Sequence, residues 1–574
     1  MTSETATQDR AQEDAPAETE PSAWGRRLRR FGYAEQEHKD TRERLVPPFP
    51  EPGTRMWQAV GLGPATAARL ARWSGWTGPL LVSLFAGVIR FWHLGSPREV
   101  VFDETYYAKD SWSLLKFGYE GTWSDGKVSN PDLLAHPQKI DLSSAPGYVV
   151  HPPMGKWMIA AGEWVFGLNP FGWRFVMALL GTLSVLMLCR IGRRLFRSNA
   201  LGCIAGLLMS VDGLHYVMSR IALLDLVIMF FALAAFGCVL ADRDWARARL
   251  ARALPVGEDG FAGPDQRTGG RAGTGWRPWR IAAGFFLGLA AASKWNGLYF
   301  LAFFMVLTVL WDVGSRRLAG ARRPRLAVLR KDLGWSVLSV SGTAVVTYLV
   351  TWTGWFASDN AYNRHWADGR GGFWSFVPAP LRSLWHYEYQ VYQFNVGLHT
   401  PHPYQSNPWS WLVLGRPVSY YFQSPKLGQD GCHAAAGCSR EILALGTPLL
   451  WWSACFALVY LLYRWILRRD WRAGAVLCAA GAGYLPWFHY QDRTIFFFYA
   501  VAFVPYLCLA VAMMIGAFLG PPAATESRRM WGAVAAGTLV LLIIWNFVYF
   551  FPIYTGMTIP YSSWQARMWF DSWI

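Results

Sequence analysis

The sequence of 574 residues is poor in charge, since Asp, Glu, Lys and Arg together make up only 16% of it. A soluble globular domain devotes about a quarter of its residues to these four types, because its surface must stay hydrated. Eight cysteines are too few for a disulfide scaffold of this length, and glycine shows no collagen-like period. A hydrophobic share of 53% excludes a disordered chain. The composition therefore predicts a polytopic membrane protein.

Long apolar runs are the most prominent feature that is present. A helix crosses the hydrocarbon core of a bilayer with about 20 apolar residues, so the runs predict an all-α membrane protein with about eleven spanning helices. A shorter apolar segment, 155–168, is followed by Asn169 and Pro170 and is predicted to be a re-entrant or interfacial helix. The predicted spans are 77–94, 173–195, 200–218, 222–241, 280–293, 296–313, 333–357, 447–467, 472–489, 495–518 and 530–551.

The basic residues are concentrated in every second loop between these runs. Lys and Arg total 54 against 38 Asp and Glu, and short loops rich in Lys and Arg are expected on the cytoplasmic side. Counting 155–168 as a further span would put the later Arg-rich loops outside, so the rule favours eleven spans and a cytoplasmic N-terminus. Nucleic-acid binding is not expected, because it needs basic residues clustered on one soluble face. The loops predicted inside are 190–199, 242–279, 314–332, 464–472 and 519–529.

The rest of the chain falls into tails, linkers and two long external loops, with no internal repeat. Residues 1–23 are predicted to be disordered, and Trp24–Phe31, with its arginines, to lie on the inner leaflet. The first apolar run begins near residue 77, so no cleavable signal peptide is expected. The Gly- and Arg-rich segment 254–278 is predicted to be a flexible cytoplasmic linker. The predicted divisions are a tail 1–76, an N-terminal module 77–357 with the first external loop 95–172, a second external loop 358–446 and a C-terminal module 447–574.

Two adjacent carboxylates follow the first predicted span. Asp103 and Glu104 stand in a stretch rich in aromatic residues, at headgroup depth on the outer face, where solubilising charge is a poor explanation. A carboxylate at this level can face the bond between the phosphate and the sugar of a lipid-linked donor. An ion pair with Lys109 or a helix N-cap explains the pair equally well, so these residues alone leave both interpretations open.

A second polar group opens the short helix predicted at 155–168. His151 and Lys156 flank two prolines and a glycine, and both side chains add to the partial positive charge of a helix N-terminus. Such a position favours phosphate. The alternative is that the two residues only cap and anchor the helix.

Three isolated cations, Arg220, Lys294 and Arg493, lie at the external ends of predicted spans. Ionisable residues at membrane depth are costly and are usually paired or functional. Arg220 can pair with Asp225, and Arg493 with Asp492. Three hairpins that present a cation at one level nevertheless favour a site for an anionic headgroup, with Asp225 beside it, because a guanidinium holds phosphate oxygens through two nitrogens at once.

The second external loop contains His402 and Arg416 among Trp, Tyr and Pro residues. Such side chains can stack on a sugar and bond its hydroxyls, but an aromatic belt at the membrane interface has the same composition. Cys432 and Cys438 stand alone in this loop, where an oxidising compartment permits a disulfide; free thiols are the alternative. No spacing in the sequence resembles a zinc site.

Taken in order, these motifs resemble the protein O-mannosyltransferases, in particular the actinobacterial branch. The resemblance covers nearly all of residues 77–570 and implies the GT-C fold with eleven spans. Eukaryotic members insert a β-trefoil domain in the second external loop, and this chain, like bacterial relatives, lacks it. The motifs are the Asp-Glu pair at 103, His-Pro-Pro-x-Gly-Lys at 151, Ser-Arg-x-x-Leu-Leu-Asp at 219, Lys-Trp-x-Gly-Leu at 294, His-Pro-Tyr-x-Ser-x-Pro-Trp-x-Trp at 402 and Arg-Pro-Val-x-Tyr-Tyr at 416.

The resemblance implies transfer of mannose from polyprenyl-phosphate-mannose to Ser or Thr hydroxyls of secreted proteins, with inversion. A hydroxyl nucleophile needs a base, and a phosphate leaving group needs cations rather than an acid partner. Asp103 is expected to be the base, and Glu104 to position the acceptor or a neighbouring cation. The groups expected at the lipid phosphate are Arg220, Lys294 and Arg493, with His151 or Lys156.

The expected setting is the plasma membrane, with the site outside the cytoplasm. The expected partners are membrane lipids, the donor lipid and secreted acceptor proteins near the secretion machinery. No cofactor is expected, although the adjacent carboxylates would accommodate a divalent metal. One alternative keeps the fold and glycosylates a lipid or cell-wall glycan. The other is a transporter or flippase, but these tend to show repeats and polar residues at the bilayer midplane, whereas the polar residues here crowd the outer interface.

Overall fold

The computed structural model describes residues 40–49, 61–123, 130–135, 137, 142–521 and 524–574. The predicted disorder of 1–23 and the predicted membrane contact of Trp24–Phe31 lie outside these residues. The helices up to the first long apolar one are α1 Thr41–Leu45, α2 Pro64–Phe91, α3 Glu104–Phe117, α4 Asn130–Ala135, α5 Met154–Phe166 and α6 Pro170–Phe196. Next come α7 Asn199–Ser210, α8 Gly213–Met218, α9 Leu224–Ala253, α10 Gln266–Arg271, α11 Pro278–Ala291, α12 Gly297–Leu318, α13 Pro324–Lys331 and α14 Leu333–Thr351. The remaining helices are α15 Thr353–Ala357, α16 Ala379–Val396, α17 Pro448–Ile466, α18 Trp471–Tyr484, α19 Val504–Leu519, α20 Glu526–Thr555 and α21 Tyr561–Gln565.

Prolines and side-chain caps set where several long helices begin. Pro64, Pro170, Pro278 and Pro448 each occupy the first turn of their helix, where the missing N–H costs no hydrogen bond. Before α6 the side chain of Asn169 accepts a hydrogen bond from the Gly172 amide at 3.0 Å, which satisfies one of the free donors of the first turn. Proline in the first turn therefore marks the start of long helices in both the N-terminal and the C-terminal part of the chain.

Each of the eleven predicted spans contains a helix in the structure. Within the part of the chain that the structure describes, seven helices are long and apolar enough to cross a membrane: α6, α9, α12, α14, α17, α20 and the continuous unit Phe497–Leu519, which enters α19 through a 3-10 turn. Helices α7 and α11 are apolar but shorter. The segment predicted at 155–168 is the 13-residue helix α5. Multi-pass character is thus confirmed, while the count of eleven crossings stays a prediction.

Helix α9 forms the centre of the bundle. Within its most apolar window 89% of the residues are buried inside the protein, and it packs against α6, α11 and α12. The corresponding share is 33% or less for α12, α14, α17 and α20. A helix that is apolar yet exposed to this extent must face lipid, so these four form part of the outer surface.

Two small antiparallel sheets lie in the long loops. In the first, β1 (Gly121–Trp123) pairs with β2 (Leu142–Pro146). In the second, β3 (Val418–Gln423) pairs with β4 (Cys438–Ala444), which also pairs with β5 (Ile559–Pro560). The C-terminal residues therefore fold back onto the second loop.

The segment 254–278 is not the flexible linker that its composition indicated. It contains α10, whose Thr268 hydroxyl donates to the carbonyl of Ala253 at 3.1 Å, and Arg316 donates to the carbonyl of Gly269 at 3.0 Å. The segment therefore makes specific contacts with the ends of α9 and α12.

Candidate active site

Helix α3 begins with the acidic pair, and the two carboxylates have different surroundings. Glu104 is fully buried, and both its oxygens accept from the guanidinium of Arg174 at 2.8 Å. They also accept backbone N–H groups, from Val101 at 2.9 Å and from Ala222 at 3.1 Å. Arg174 in turn donates to carbonyls of residues 94, 97 and 99. Glu104 is thus held in a buried ion pair that ties the start of α3 to α6.

Asp103 occupies the N-cap position of α3, but its side chain makes no capping hydrogen bond. It is half-buried and lies within the electrostatic reach of Lys294 and Asp225. Burial raises the pKa of the Asp103 carboxyl to about 6; Lys294 opposes this rise and Asp225 adds to it. A carboxylate that neither caps its helix nor is locked by an arginine remains available to a ligand.

The backbone just before Asp103 is strained. Phe102 has a φ of 50°, in the left-handed region that bulky residues rarely adopt. Its ring packs against Tyr420 and Phe498, with centroids 4.8 and 5.8 Å away. Strain of this kind persists only where the surroundings impose it, and it is concentrated at functional sites. The aromatic contacts therefore fix the direction in which the chain presents Asp103.

Beside Asp103 lies a cavity of about 110 Å³ that brings together four of the predicted residues, His151, Asp225, Lys294 and Arg493. The Lys294 ammonium donates to the Asp225 carboxylate at 2.7 Å. Burial lowers the pKa of Lys294, but Asp225, Tyr499 and Asp103 together outweigh this effect and the net shift is upward. Lys294 is therefore a permanent cation in the cavity wall.

Two buried polar atoms of this wall have no hydrogen-bond partner among the described residues. They are Nε of Arg493 and Oδ1 of Asn296, one a donor and the other an acceptor. Leaving a buried donor or acceptor unpaired costs about 1–3 kcal/mol. These two atoms therefore indicate a place where a polar ligand binds. Burial, together with Lys294 and other nearby cations, lowers the pKa of His151 well below its usual range, and its imidazole is neutral at pH 7. The cavity offers two cations, one neutral imidazole and one free amide oxygen.

Lys156 does not join this cavity, contrary to one of the two options in the sequence-based prediction. It forms a buried ion pair with Glu120 and donates to the carbonyl of His151 at 2.9 Å. Other carboxylates lie near it, and burial raises the pKa of Asp110 and of Glu388 to about 7. Lys156 therefore balances the charge of the buried Glu120 carboxylate, outside the cavity.

Arg220 does not line this cavity, so the structure does not bring it together with Lys294 and Arg493 as the sequence predicted. Its guanidinium donates to carbonyls at the end of α2, including Arg90 at 2.8 Å and Trp92 at 2.6 Å. These are the carbonyls that a helix C-terminus leaves unsatisfied. Asp225, its suggested partner, is already paired with Lys294. Arg220 instead caps the C-terminal end of α2.

His402 and Arg416, the candidates for sugar contact, have structural partners. The Nδ1 atom of His402 accepts from the Tyr404 amide at 3.1 Å. Arg416 donates to the carbonyls of Ser572 at 2.5 Å and Ile574 at 2.6 Å, which fastens the C-terminal residues. Neither residue lines the cavity beside Asp103. Cys432 and Cys438 are joined by a disulfide in the same loop.

The sequence did not predict three residues that the structure places at the site: Arg174, Asn296 and Tyr499. Arg174 stands one residue inside a predicted span, and an ionisable residue at that depth was itself a signal of a partner. Asn296 follows Lys294 by two residues in the motif that was recognised. Tyr499 lines the cavity, and Lys294 lies 5.2 Å from the centre of its ring. Because Tyr499 follows a run of aromatic residues, nothing in the sequence distinguishes it as a site residue. Among the described residues, no group of three or more His, Cys, Asp or Glu could hold a metal ion.

Two family models match separate parts of the chain. Residues 80–253 match the family described as dolichyl-phosphate-mannose-protein mannosyltransferase. Residues 380–573 match the C-terminal four-transmembrane region of protein O-mannosyltransferases. Together the two matches include the acidic pair, Asp225 and Arg493.

Relatives extend the similarity over most of the chain. A polyprenol-phosphate-mannose–protein mannosyltransferase of Mycolicibacterium smegmatis is 39% identical, over 88% of this chain and 94% of its own. That of Mycobacterium tuberculosis is 38% identical, over 93% and 98%. The Saccharomyces cerevisiae Pmt1–Pmt2 complex bound to the sugar donor superposes with a TM-score of 0.63 at 15% identity, covering 87% of this chain and 92% of that one. The predicted GT-C fold is confirmed, and the chain belongs to the protein O-mannosyltransferases.

Proposed function

We propose that the chain transfers mannose from polyprenyl-phosphate-mannose to Ser or Thr hydroxyls of secreted proteins, on the extracytoplasmic face of the plasma membrane. The relatives named above support the donor and the class of acceptor. The observation that carries the proposal is the uncapped Asp103 carboxylate beside a cavity with Lys294 and the unpartnered Arg493 Nε. The concentration of Arg in alternate loops supports the external position of this cavity.

Asp103 acts as the general base. As the acceptor oxygen attacks the anomeric carbon, its proton passes to the Asp103 carboxylate, the new C–O bond forms and the bond from carbon to the phosphate oxygen breaks. The pKa of about 6 keeps Asp103 ionised at neutral pH and makes it a stronger base than an ordinary aspartate. Polyprenyl phosphate leaves with the electron pair of the broken bond.

The reaction inverts the anomeric carbon through a single displacement. A double displacement needs a second carboxylate as nucleophile close to the first. Glu104 is the nearest one in sequence, and Arg174 and two backbone amides already occupy both its oxygens. Only Asp103 of the pair is left to act, and one base suffices for inversion.

Lys294 and Arg493 stabilise the phosphate as it leaves. Negative charge develops there in the transition state, and preorganised donors are most effective where charge develops. The Arg493 Nε gains its missing acceptor when phosphate binds, and Asn296 Oδ1 gains a donor from a sugar hydroxyl. Asp225 holds the Lys294 ammonium in place through the 2.7 Å contact.

The prenyl chain occupies an apolar groove next to the cavity. The groove measures about 620 Å³ and shares Trp295 and Tyr392 with the cavity wall. Its other walls come from α11, α12, α14 and α16, and they are almost entirely apolar. A lipid phosphate at Lys294 thus has a continuous path for its hydrocarbon tail.

Replacement of Asp103 by Asn tests the proposal. Loss of a general base costs about 100- to 10,000-fold in rate, so we expect the D103N variant, reconstituted in vesicles with labelled donor, to lose activity to that extent with its thermal stability retained. E104Q is the matched control: it deprives Arg174 of its counter-charge and should lower stability first. Full activity in D103N would overturn the assignment of the base.

The same assay distinguishes the acceptor. Label recovered in protein and released from Ser or Thr supports the proposal. Label recovered in extractable lipid or in cell-wall glycan, with none in protein, would contradict the proposal. It would support the alternative that the same fold and catalytic base glycosylate a lipid or a cell-wall glycan.

A further inference from the structure

Helix α16 (Ala379–Val396), in the second long loop, has an exposed surface divided lengthwise into an apolar and a polar half. At about 100° per residue, five of the six large apolar residues that are exposed on the helix fall within one arc of about 80°; the sixth, Phe394, lies outside it and contacts Tyr148 of the first long loop, with ring centroids 6.2 Å apart. The polar residues fall within the next arc of similar width. The apolar stripe consists of Leu381, Trp385, Tyr389, Tyr392 and Val396, and the polar stripe of Arg382, His386, Gln390 and Gln393.

The remaining face of α16 fixes the helix to the protein. Leu384, Tyr387 and Val391 are buried in a small core with Trp352 and Trp355. The Tyr387 hydroxyl also bonds with the backbone of residue 149 in the first long loop. The helix is therefore anchored without help from the apolar stripe, which is left exposed; Trp385 is 77% accessible.

The apolar stripe continues the lipid-facing surface of the bundle. Leu381, Trp385 and Tyr389 line the apolar groove together with residues of α12 and α14. Those helices are long enough to span a membrane, and their side chains Leu298 and Val345 are exposed. The stripe thus lies level with the end of two spanning helices, at the depth where a bilayer has its interface.

The turn that leads into α16 extends the same surface. Phe373, Trp374 and Phe376 are all highly exposed, and their rings contact one another. On the polar side, Arg382 donates to the carbonyls of residues 370 and 377. Large aromatics on one side and a cation with amides on the other are typical of a helix that lies in the plane of a membrane surface.

We propose that α16 and the Phe373–Phe376 turn form an interfacial element that inserts into the leaflet on the Asp103 side of the membrane. The apolar stripe lies among acyl chains, and the polar stripe faces water and headgroups. Because the stripe forms one edge of the groove, lipid chains of that leaflet contact the groove directly and can enter it sideways. The long loop between α15 and α17 is in this respect a part of the membrane domain.

Photocrosslinking from the bilayer tests the insertion without requiring catalysis. The full-length chain is reconstituted in vesicles of phosphatidylcholine and phosphatidylglycerol that contain a phosphatidylcholine with a diazirine in its acyl chain. After irradiation, adducts are assigned to residues by mass spectrometry. We expect adducts on Trp385, Tyr389 and the Phe373–Phe376 turn, and none on His386 or Gln390. Adducts spread evenly over both stripes, or restricted to the spanning helices, would overturn the proposal.

A pair of charge variants gives a matched comparison. W385E with Y389E places two carboxylates in the apolar stripe, whereas Q390E with Q393E places two in the polar stripe. We expect loss of the α16 adducts in the first and their retention in the second. If the first variant does not fold, the positions of the adducts in the unaltered chain still test whether α16 inserts into the membrane. Crosslinks between two copies of the chain in place of lipid adducts would show that protein covers the stripe, and would also overturn the proposal.

Discussion

Charged groups cluster at two levels along α9, and the two clusters differ in how completely they are paired. Asp225 lies in the first turn of this helix and Asp242 lies 17 residues further on, about 25 Å away at 1.5 Å per residue. The cluster around Asp242 is here called the distal network. Its members are Asp242, Arg277, Arg280, Asp312, Arg316 and Asp332, all nearly inaccessible.

In the distal network every carboxylate has an arginine. Arg277 and Arg280 both bind Asp242 and Asp312, with nitrogen–oxygen distances of 2.5–3.0 Å. Arg316 binds Asp332 at 2.5 Å. At the level of Asp225, that carboxylate has Lys294, but among the described residues no arginine binds Asp103 and Arg493 Nε has no hydrogen-bond partner. Complete pairing indicates a structural role for the distal network, and incomplete pairing indicates where a charged substrate binds.

The largest effect on stability is expected from Arg277→Ala. This change leaves Asp242 and Asp312 to share one arginine, and removing one member of a buried ionic group costs about 3–5 kcal/mol. The free energy of unfolding, measured in lipid bicelles, should fall by this amount. The rate of mannosyl transfer per folded molecule should not change, because the change lies far from Asp103.

Arg194→Ala serves as the control for that measurement. Arg194 pairs with Asp244 at 2.9 Å, but both side chains are more than 40% exposed. Exposed pairs contribute about 0–1 kcal/mol, so this variant should resemble the unaltered chain. A rate loss in Arg277→Ala as large as its stability loss would show that the distal network also takes part in catalysis.

An intermediate effect is expected from Arg493→Gln. A charge-assisted hydrogen bond contributes about 1.5–3 kcal/mol, so loss of this contact with phosphate should raise the KM for donor lipid by about 10- to 100-fold. Stability should change little, because Arg493 Nε has no hydrogen-bond partner to lose within the described residues.

Arg220→Gln should behave in the opposite way. It removes several hydrogen bonds to carbonyls at the end of α2, so the free energy of unfolding should fall. The KM for donor lipid should not change, because Arg220 does not line the cavity. If Arg220→Gln raised the KM and Arg493→Gln did not, the phosphate would have to bind on the Arg220 side of the molecule.

The sequence predicted the helices well, for identifiable reasons. Apolar runs of about span length, opened by residues such as Asn169 and Pro170, indicate helices whatever their neighbours are. The placing of Lys294 and Arg493 in one cavity agrees with the prediction that external cations cluster. Arg220 fits the same sequence pattern, since it too is a cation at the end of a span.

What separates Arg220 from Lys294 is not local. The choice depends on which carbonyls and carboxylates the packed helices bring within reach, and Asp225 is five residues from Arg220 yet pairs with Lys294, 69 residues away. The segment 254–278 illustrates the same limit, because its order comes from contacts with Ala253 and Arg316 rather than from its own composition.

The pH dependence of kcat/KM is the finest test of the difference between the two clusters along α9. Burial raises the pKa of Asp103 from an ordinary 3.8 to about 6, and a general base acts only when ionised. The rate should therefore be level above pH 7 and fall tenfold per pH unit below about pH 6. His151 does not add a second step there, because its pKa is lowered well below 6.5. In D103N the residual rate should show no such fall. A limb near pH 4 in the unaltered chain would mean that Asp103 is paired in the working enzyme as fully as the carboxylates of the distal network, and the contrast between the two clusters would then be lost.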